Sequence, residues 1–349
     1  MGAMNIPAWT ITYGGTNITG NLMPHATHIF FNEHIGGKAS TLEIKLEDVN
    51  HNFQDHPPAP GIAVSLSIGW QGAPQVSCGL FEVDEWESDG PPDTFTLRAI
   101  QAGISHAIRT RKSFAYENQT LTEVANSVAA RHGMTVSMDA VDPDVPFERI
   151  TQRTESDLAF LHRLANAHNY EFNVRGNQLV FYSRVQLDAA TPQNPTIYKT
   201  DCVRYRFHKQ HVGERSYLKS VITHFDPLLK KLLTAFATDP NATSQDTLRL
   251  IARMENQQQG SLKAQAGLHA ANMAQIKGQI IISGTMAYRA GNTVNVAGFG
   301  KGKNGFDAVK FIVKEAKHRI DHGGYKTTLE LRTTVSGEAA QIISDEYGG

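Results

Sequence analysis

The stretch NVAGFGKGKNGFDAVKFIVKEAKHRI, residues 295–320, decides between two folds. It contains G-x-G-x-x-G at Gly300, Gly302 and Gly305, with Lys301 and Lys303 between. Such a loop cradles phosphates when a helix stands behind it, because the helix N-terminus supplies oriented N–H groups and a favourable dipole. The segment behind this loop, FDAVKFIVKEAKHRI, is β-branched and alternating, which predicts a strand. No acidic residue stands where a ribose would need it, since the strand–helix–strand unit is absent. The glycines therefore serve a connection between two strands, with the lysines solvated.

The same stretch has a counterpart 230 residues upstream. Gly61 matches Gly291, Val64 matches Val294, and Leu66 matches Val296. F-x-V-x-E recurs whole, as Phe81, Val83 and Glu85 and as Phe311, Val313 and Glu315. A Leu-Arg pair closes each copy, Leu97-Arg98 and Leu331-Arg332, the second after a slightly longer turn. In the first copy WQGAPQV takes the place of GKGKNG and carries no glycine fingerprint. β-Proteins reuse a few residue types, so isolated matches arise by chance. Matches held at one constant offset point instead to a structural duplication.

Outward from these copies, ATHIFF, STLEIKLED, IAVSLSIGW, CGLFEVDEW and TFTLRAI read as strands, separated by GGK, HPPAPG and DGPPD. Residues 1–110 are thus a first β domain. Residues 111–190 change character. Thr120 and Glu123 form a capping box ahead of Leu121, Val124, Ala125 and Val128, and Gly133 supplies the stop. Thr154 and Asp157 give a looser start signal before Leu158, Leu161, Leu164, Ala165 and His168. YEFNVRGNQLVFYSR predicts a hairpin turning at Arg175-Gly176-Asn177, and LDAATPQNPT a linker. Residues 191–349 return to β, with a helical segment near 244–277 whose stripe is Leu262, Ala266, Ala270, Met273 and Ala274. VRYRFHKQ, YLKSVITHFD, QIIISG, NTVNVAGF, AVKFIVKEAKHRI and YKTTLELRTT are its strands, the last two joined by DHGG. The fold class is mainly β with an α+β insertion.

The chain has 349 residues, is 40% hydrophobic and 19% charged, and carries a formal net charge of -1, which argues against a general binder of nucleic acid or membrane surfaces. Cys78 and Cys202 are the only cysteines, so no disulfide framework exists and a reducing compartment is expected. No apolar run approaches the ~20 residues that span a bilayer. The start lacks a basic region and an apolar core, so no signal peptide is expected, and Ile6 breaks the myristoylation pattern.

Each candidate site has a plainer alternative. His208, His211, His224 and Asp226 could hold a metal, but positions three apart on a strand face opposite sides. Asp84, Glu85 and Glu87 could pair for hydrolysis, but Asp84 alternates away from the other two on an ordinary half-buried strand. Trp9, Trp70 and Trp86 read as core or interface anchors. SYLKSVITHFDPLLKKLLTAF reads either as an amphipathic partner-binding segment or as a strand ending at Asp226-Pro227. Arg204 and Arg206 could face nucleic acid or form a solvated face. No catalytic, cofactor-binding or metal residue is assigned, and no cofactor is expected.

Three passages carry a family resemblance: RTRKSFAYENQTLTEVANSVAARHGM, ERITQRTESDLAFLHRLANAHNYEFNVRGNQLVFYSR with its Q-x-x-E-S-D start, and YRAGNTVNVAGFG together with KFIVKEAKHRIDHGGYKTTLELR. Together they resemble the phage late control protein D family, tail hubs of contractile-tailed phages related to the T-even hub and to the N-terminal part of VgrG. The resemblance implies two tube-like antiparallel β-barrel domains plus a small α/β domain. It implies a homotrimer that adapts the six-fold tail tube to a three-fold central spike, since three chains with two like units apiece give six quasi-equivalent positions. Implied partners are other copies of the chain, the tail tube or tube-initiator protein, the central spike protein, other baseplate proteins and the tape measure protein. No membrane and no sequence-specific nucleic acid is implied. The implied location is the virion's tail baseplate, assembled in the host bacterial cytoplasm. No OB-fold or needle comes after the second β region, so the spike is expected to be another polypeptide. The alternatives are a hub of a type VI-like secretion or other contractile injection system and, from a different class, a cell-wall hydrolase or nucleotide-binding protein using GKGKNG.

Overall fold

The computed structural model describes residues 6–36, 39–102, 106–139, 144–192, 194–209, 217–226, 230–240, 242, 244–272, 276–301 and 305–333. The first region holds β1 (Pro7–Tyr13), β2 (Thr16–Asn17), α1 (Thr19–Leu22), β3 (Ala26–His34), β4 (Thr41–Glu47), β5 (Ala63–Trp70), β6 (Val76–Asp89), β7 (Thr94–Gln101) and α2 (His106–Arg109). The middle holds β8 (Lys112–Thr120), α3 (Leu121–Arg131), β9 (Thr135–Met138), β10 (Pro146–Glu155), α4 (Asp157–Ala167), β11 (Tyr170–Arg175), β12 (Gln178–Ser183) and α5 (Arg184–Ala189). Then come β13 (Ile197–Tyr198), β14 (Cys202–Lys209), β15 (Tyr217–Asp226), β16 (Lys231–Thr238), β17 (Asp246–Leu250) and α6 (Gln257–Asn272). The chain closes on β18 (Ile276–Ser283), β19 (Thr293–Ala297), β20 (Lys310–Asp321) and β21 (Gly324–Thr333). The fold is mainly β, as the sequence predicts.

The strands obey their period-two patterns: β4 buries Leu42, Ile44 and Leu46, and β5 buries Val64, Leu66 and Ile68. The two copies also share one strand order. The first half runs β5-β6-β7-β4-β3 and the second β19-β20-β21-β18-β14, antiparallel throughout. The irregularities repeat as well. A register shift between Val83 and Glu85 recurs between Val313 and Glu315, and one between Ala26 and His28 recurs between Cys202 and Arg204. Gly61 and Gly291, with φ of 77° and 92°, each send the backbone N–H to the F-x-V valine, Val83 at 2.9 Å and Val313 at 2.8 Å. That left-handed conformation is why glycine opens both copies. Bulges and glycine turns recurring at equivalent places are features of one duplicated unit.

Several local expectations are corrected. The Leu-Arg pairs are not equivalent: Val83 faces Ala99 whereas Val313 faces Leu331, so Leu331 occupies the place of Ala99 and Arg98 that of Glu330. The added residues of the second turn shift the register. The strand β1, not singled out in the sequence, pairs along β5 from Pro7 to Tyr13. The helix over 244–277 is shorter, because Asp246–Leu250 forms β17. Its buried residues are Gln259, Gly260, Ser261, Ala264, Ala266, Leu268, His269 and Asn272, while Leu262 is half-buried and Ala270 exposed; Met273 and Ala274 lie outside the described residues. An Ala- and Gln-rich helix carries little hydrophobic contrast to read a face from. Ser156, not Thr154, caps α4, accepting from the Ala159 N–H at 3.2 Å. The capping box at Thr120 and Glu123 forms as predicted, and Gly133 comes after the helix at φ 64°. Residues 170–183 form the predicted hairpin, with Arg175 facing Gln178.

Among the described residues three smaller sheets stand apart from the large one. In the middle region β11-β12-β9 and the β10-β8 pair enclose α3 and α4 around Tyr116, Phe160, Phe172 and Phe181. The sheet β16-β15-β17 packs α6 around Ile222, Ala235, Met254 and Leu268. We propose the boundaries 1–110, 111–190 and 191–349 as the working division of the chain, with this last sheet carried on the third part.

Candidate assembly surface

The two copies are welded into one sheet by β20. Its N-terminal residues pair with β19, and from Glu315 to Asp321 it pairs with β3. Across this joint the Glu315 carboxylate accepts from Asn32 Nδ2 at 2.8 Å and lies 3.4 Å from His34 Nδ1. Burial pushes the Glu315 carboxyl up, but the Asn32 hydrogen bond and the charges of His34 and Lys317 outweigh it and hold it below the usual range. Glu33 receives Arg289 in a fork at 2.8 and 3.0 Å and the Ala290 N–H at 3.1 Å. Trp70 donates its Nε1–H to Gly284 O at 2.9 Å and packs on Tyr325. Glu171 ties the middle region to the sheet, 3.1 Å from Arg184 and 3.4 Å from Arg332.

One face of the large sheet covers the apolar cores; the other carries cross-strand charges. Arg98 reaches Glu43 at 2.9 Å, Glu85 at 3.0 Å and Glu87 at 2.9 Å, and His28 lies 2.9 Å from Glu43. Hydrogen bonds donated by Arg98 to these carboxylates raise its pKa further, and His28 and Arg98 together hold Glu43 low against the effect of its burial. Beyond the joint, Lys317 lies 3.3 Å from Glu315 and 3.8 Å from Glu330, and Gln279 donates to Glu330 at 2.7 Å. Exposed pairs of this kind each add only ~0.2–1 kcal/mol. Their consequence is a polar wall continuous across both halves.

The residues singled out from sequence mostly serve this framework. The stretch from Gly298 to Gly305 joins β19 to β20, and Gly302, Lys303 and Asn304 lie outside the described residues. The Asp307 carboxylate accepts the N–H groups of Gly298 at 3.1 Å and Phe299 at 2.7 Å, so a carboxylate of the chain already holds amides that a phosphate would need. Phe299 and Phe306 pack on Phe207 of β14. His208 stands on β14 and His224 on β15, in different sheets; His211 lies outside the described residues. Asp84 sits at the bulge, 3.8 Å from Arg109, while Glu85 and Glu87 share Arg98. Trp9 is core, Trp70 is the anchor described above, and Trp86 stacks on Phe95 while staying 43% exposed. Lys219–Asp226 of β15 pair antiparallel with Lys231–Thr238 of β16, and Pro227 of the expected turn lies outside the described residues. Burial pushes the Cys78 thiol up to about 12 and raises that of Cys202. Arg204 and Arg206 are exposed on β14.

The Q-x-x-E-S-D start is structural in every position. Gln152 donates to Glu155 O at 2.8 Å and to Asp157 Oδ1 at 2.9 Å. Glu155 holds Arg163 at 2.5 Å, and Ser156 caps α4. Asp157, wholly buried, gathers Lys112 at 2.5 Å, His132 at 2.6 Å and Arg131 at 3.2 Å.

Sequence reasoning missed two sheet edges. From Glu85 to Asp89, β6 pairs with β7 on one side and has no strand on the other among the described residues. Likewise β14 pairs with β18 alone among the described residues. The signal was present as a run of acids in EVDEWESD and a run of bases in VRYRFHK.

No protein-family model matches the chain. It is similar to the probable baseplate hub proteins of Escherichia phage 186, 28% identical over 204 residues, and Escherichia phage P2, 29% identical over 209 residues. These matches cover 58% and 59% of the chain and 52% and 54% of the relatives, so the chain is matched to about half the length of each. The 43 kDa tail protein of prophage MuSo2 from Shewanella oneidensis shares the fold, with a TM-score of 0.69, 16% identity, and coverage of 93% of this chain and 98% of that one. In sequence the chain is thus related to phage baseplate hub proteins, as the three passages indicated.

Proposed function

We propose that the chain works as a baseplate hub subunit of a contractile phage tail, a structural part of the virion that acts by assembly and not by catalysis. Three copies surround a channel, their six like β units meeting the six-fold tube on one side and a three-fold spike on the other. The relatives in phages 186 and P2 support the hub role. The observation that carries the ring is internal: two units of one strand order stand edge to edge in a single sheet, joined through β3 and β20. A unit that repeats by edge pairing continues until the edges meet, and a closed ring leaves none exposed. Partners in this reading are other copies of the chain, the tube or tube-initiator protein, the spike protein, other baseplate proteins and the tape measure protein.

Native mass measurement tests it. The expected result is a species of three chains, ring-shaped by electron microscopy; a chain that stays monomeric across concentration overturns the ring.

A further inference from the structure

We infer that the free edge of β6 pairs with β14 of a second copy of this chain, antiparallel, in a register that the chain's own internal joint dictates. This deepens the hub reading and rests on it. In the internal joint, Glu315 faces His34, Lys317 faces Asn32 and Arg319 faces Phe30. The duplication converts this into a second joint. Val83 and Val313 occupy equivalent places, so Glu85–Asp89 stand for Glu315–Arg319. The shared bulges make Arg204 stand for His28, Arg206 for Phe30 and His208 for Asn32. The internal joint therefore predicts Trp86 opposite Lys209, Glu87 opposite His208, Ser88 opposite Phe207 and Asp89 opposite Arg206 of the second copy.

The side chains suit this register although nothing in the duplication requires it. Asp84, Glu85, Glu87 and Asp89 make β6 acidic, and Arg204, Arg206, His208 and Lys209 make β14 basic. Arg98 already answers Glu85 and Glu87, and Asp89 makes no ion pair among the described residues. Arg204 and Arg206 make none among them either. The predicted pairs Glu87–His208 and Asp89–Arg206 fall on the polar face, where Glu315 and His34 meet in the internal joint. On the opposite face Trp86 and Tyr205, each 43% exposed, would be covered, as Ala316 and Ile29 are at the equivalent places. A slip of one residue would turn every one of these side chains to the wrong face.

Reversing one edge by Glu87→Lys with Asp89→Lys, or the other by Arg206→Glu with His208→Glu, is expected to lower the trimeric fraction by about tenfold or more. Combining all four substitutions is expected to restore it. Circular dichroism like that of the original chain establishes that each variant is folded. As a register check, Glu87→Cys with His208→Cys is expected to give interchain disulfides on oxidation, because facing residues lie about 4.5–5.5 Å apart at Cα. Glu87→Cys with Phe207→Cys, on opposite faces, is not. Folded half-reversed variants that remain trimeric, together with no selective cross-link, overturn the junction while leaving the ring standing. An unaltered chain that never assembles overturns both.

Discussion

Asp157→Ala is expected to destabilise the protein by about 3 kcal/mol, the lower end of the range for removing one partner of a buried ionic cluster. The carboxylate is wholly buried and is the anion that Lys112, Arg131 and His132 share. Burial alone would push its carboxyl up, but hydrogen bonds from His132, Lys112 and Gln152 and the Arg131 charge outweigh burial and hold it below the usual range. Its contribution is therefore present above the ordinary carboxylate pKa and lost as pH falls through the folded value. Alanine leaves Lys112, Arg131 and the His132 ring without the anion they share. Lys112 and Arg131, about a third exposed, can turn toward water, whereas His132 at 6% cannot, which places the cost at the lower end. Urea unfolding tracked by the fluorescence of a probe in the middle region checks this. A loss under 1 kcal/mol would show that the cluster contributes no more than an exposed pair does.

Acid lability starting near neutral pH is the second large effect. His318 is 1% exposed between Phe31, Tyr325 and Thr327, and burial, with the Arg289 charge adding to it, lowers its pKa to about 3. His168, 2% exposed at the end of α4, is lowered by burial to about 4 despite its hydrogen bond to the Leu164 carbonyl. Both stay neutral when folded and take a proton near pH 6.5 when unfolded. Their stabilisation is therefore complete above about pH 6.5 and falls with pH by about 1.4 kcal/mol per unit per histidine, ending at the folded values. Between pH 6.5 and 5 the two together remove about 4 kcal/mol. Denaturant unfolding at pH 7.5 and 5 measures the loss, and His318→Gln is expected to halve the slope. A slope unchanged by replacing both histidines would assign the lability to other groups. Buried histidines of this kind belong to the core: His318 stacks against Phe31 across the joint between β20 and β3.

Much of the β framework is legible because it is written locally. A glycine at positive φ, alternation along a strand, a Thr-x-x-Glu box and a loop followed by one 3-10 turn and a strand instead of an α-helix each act over a few residues, so they can be read in order along the chain. The offset between the copies adds the duplication, and the bulges at Asp84 and Lys314 show how deep it runs. What the chain order could not convey is which edges meet. The pairing of β3 with β20 joins residues some 280 positions apart, and the charge runs EVDEWESD and VRYRFHK mark two strands without saying which edge will be covered inside the chain. The same holds for Asp157, whose partners come from β8 (Lys112) and from the end of α3 (Arg131 and His132), and for α6, whose inward face is chosen by its sheet and not by its own weak contrast. Local conformational preference wrote the units; their joining, and the acidic and basic edges that it leaves without a neighbouring strand among the described residues, came from strands competing for partners in the packed molecule.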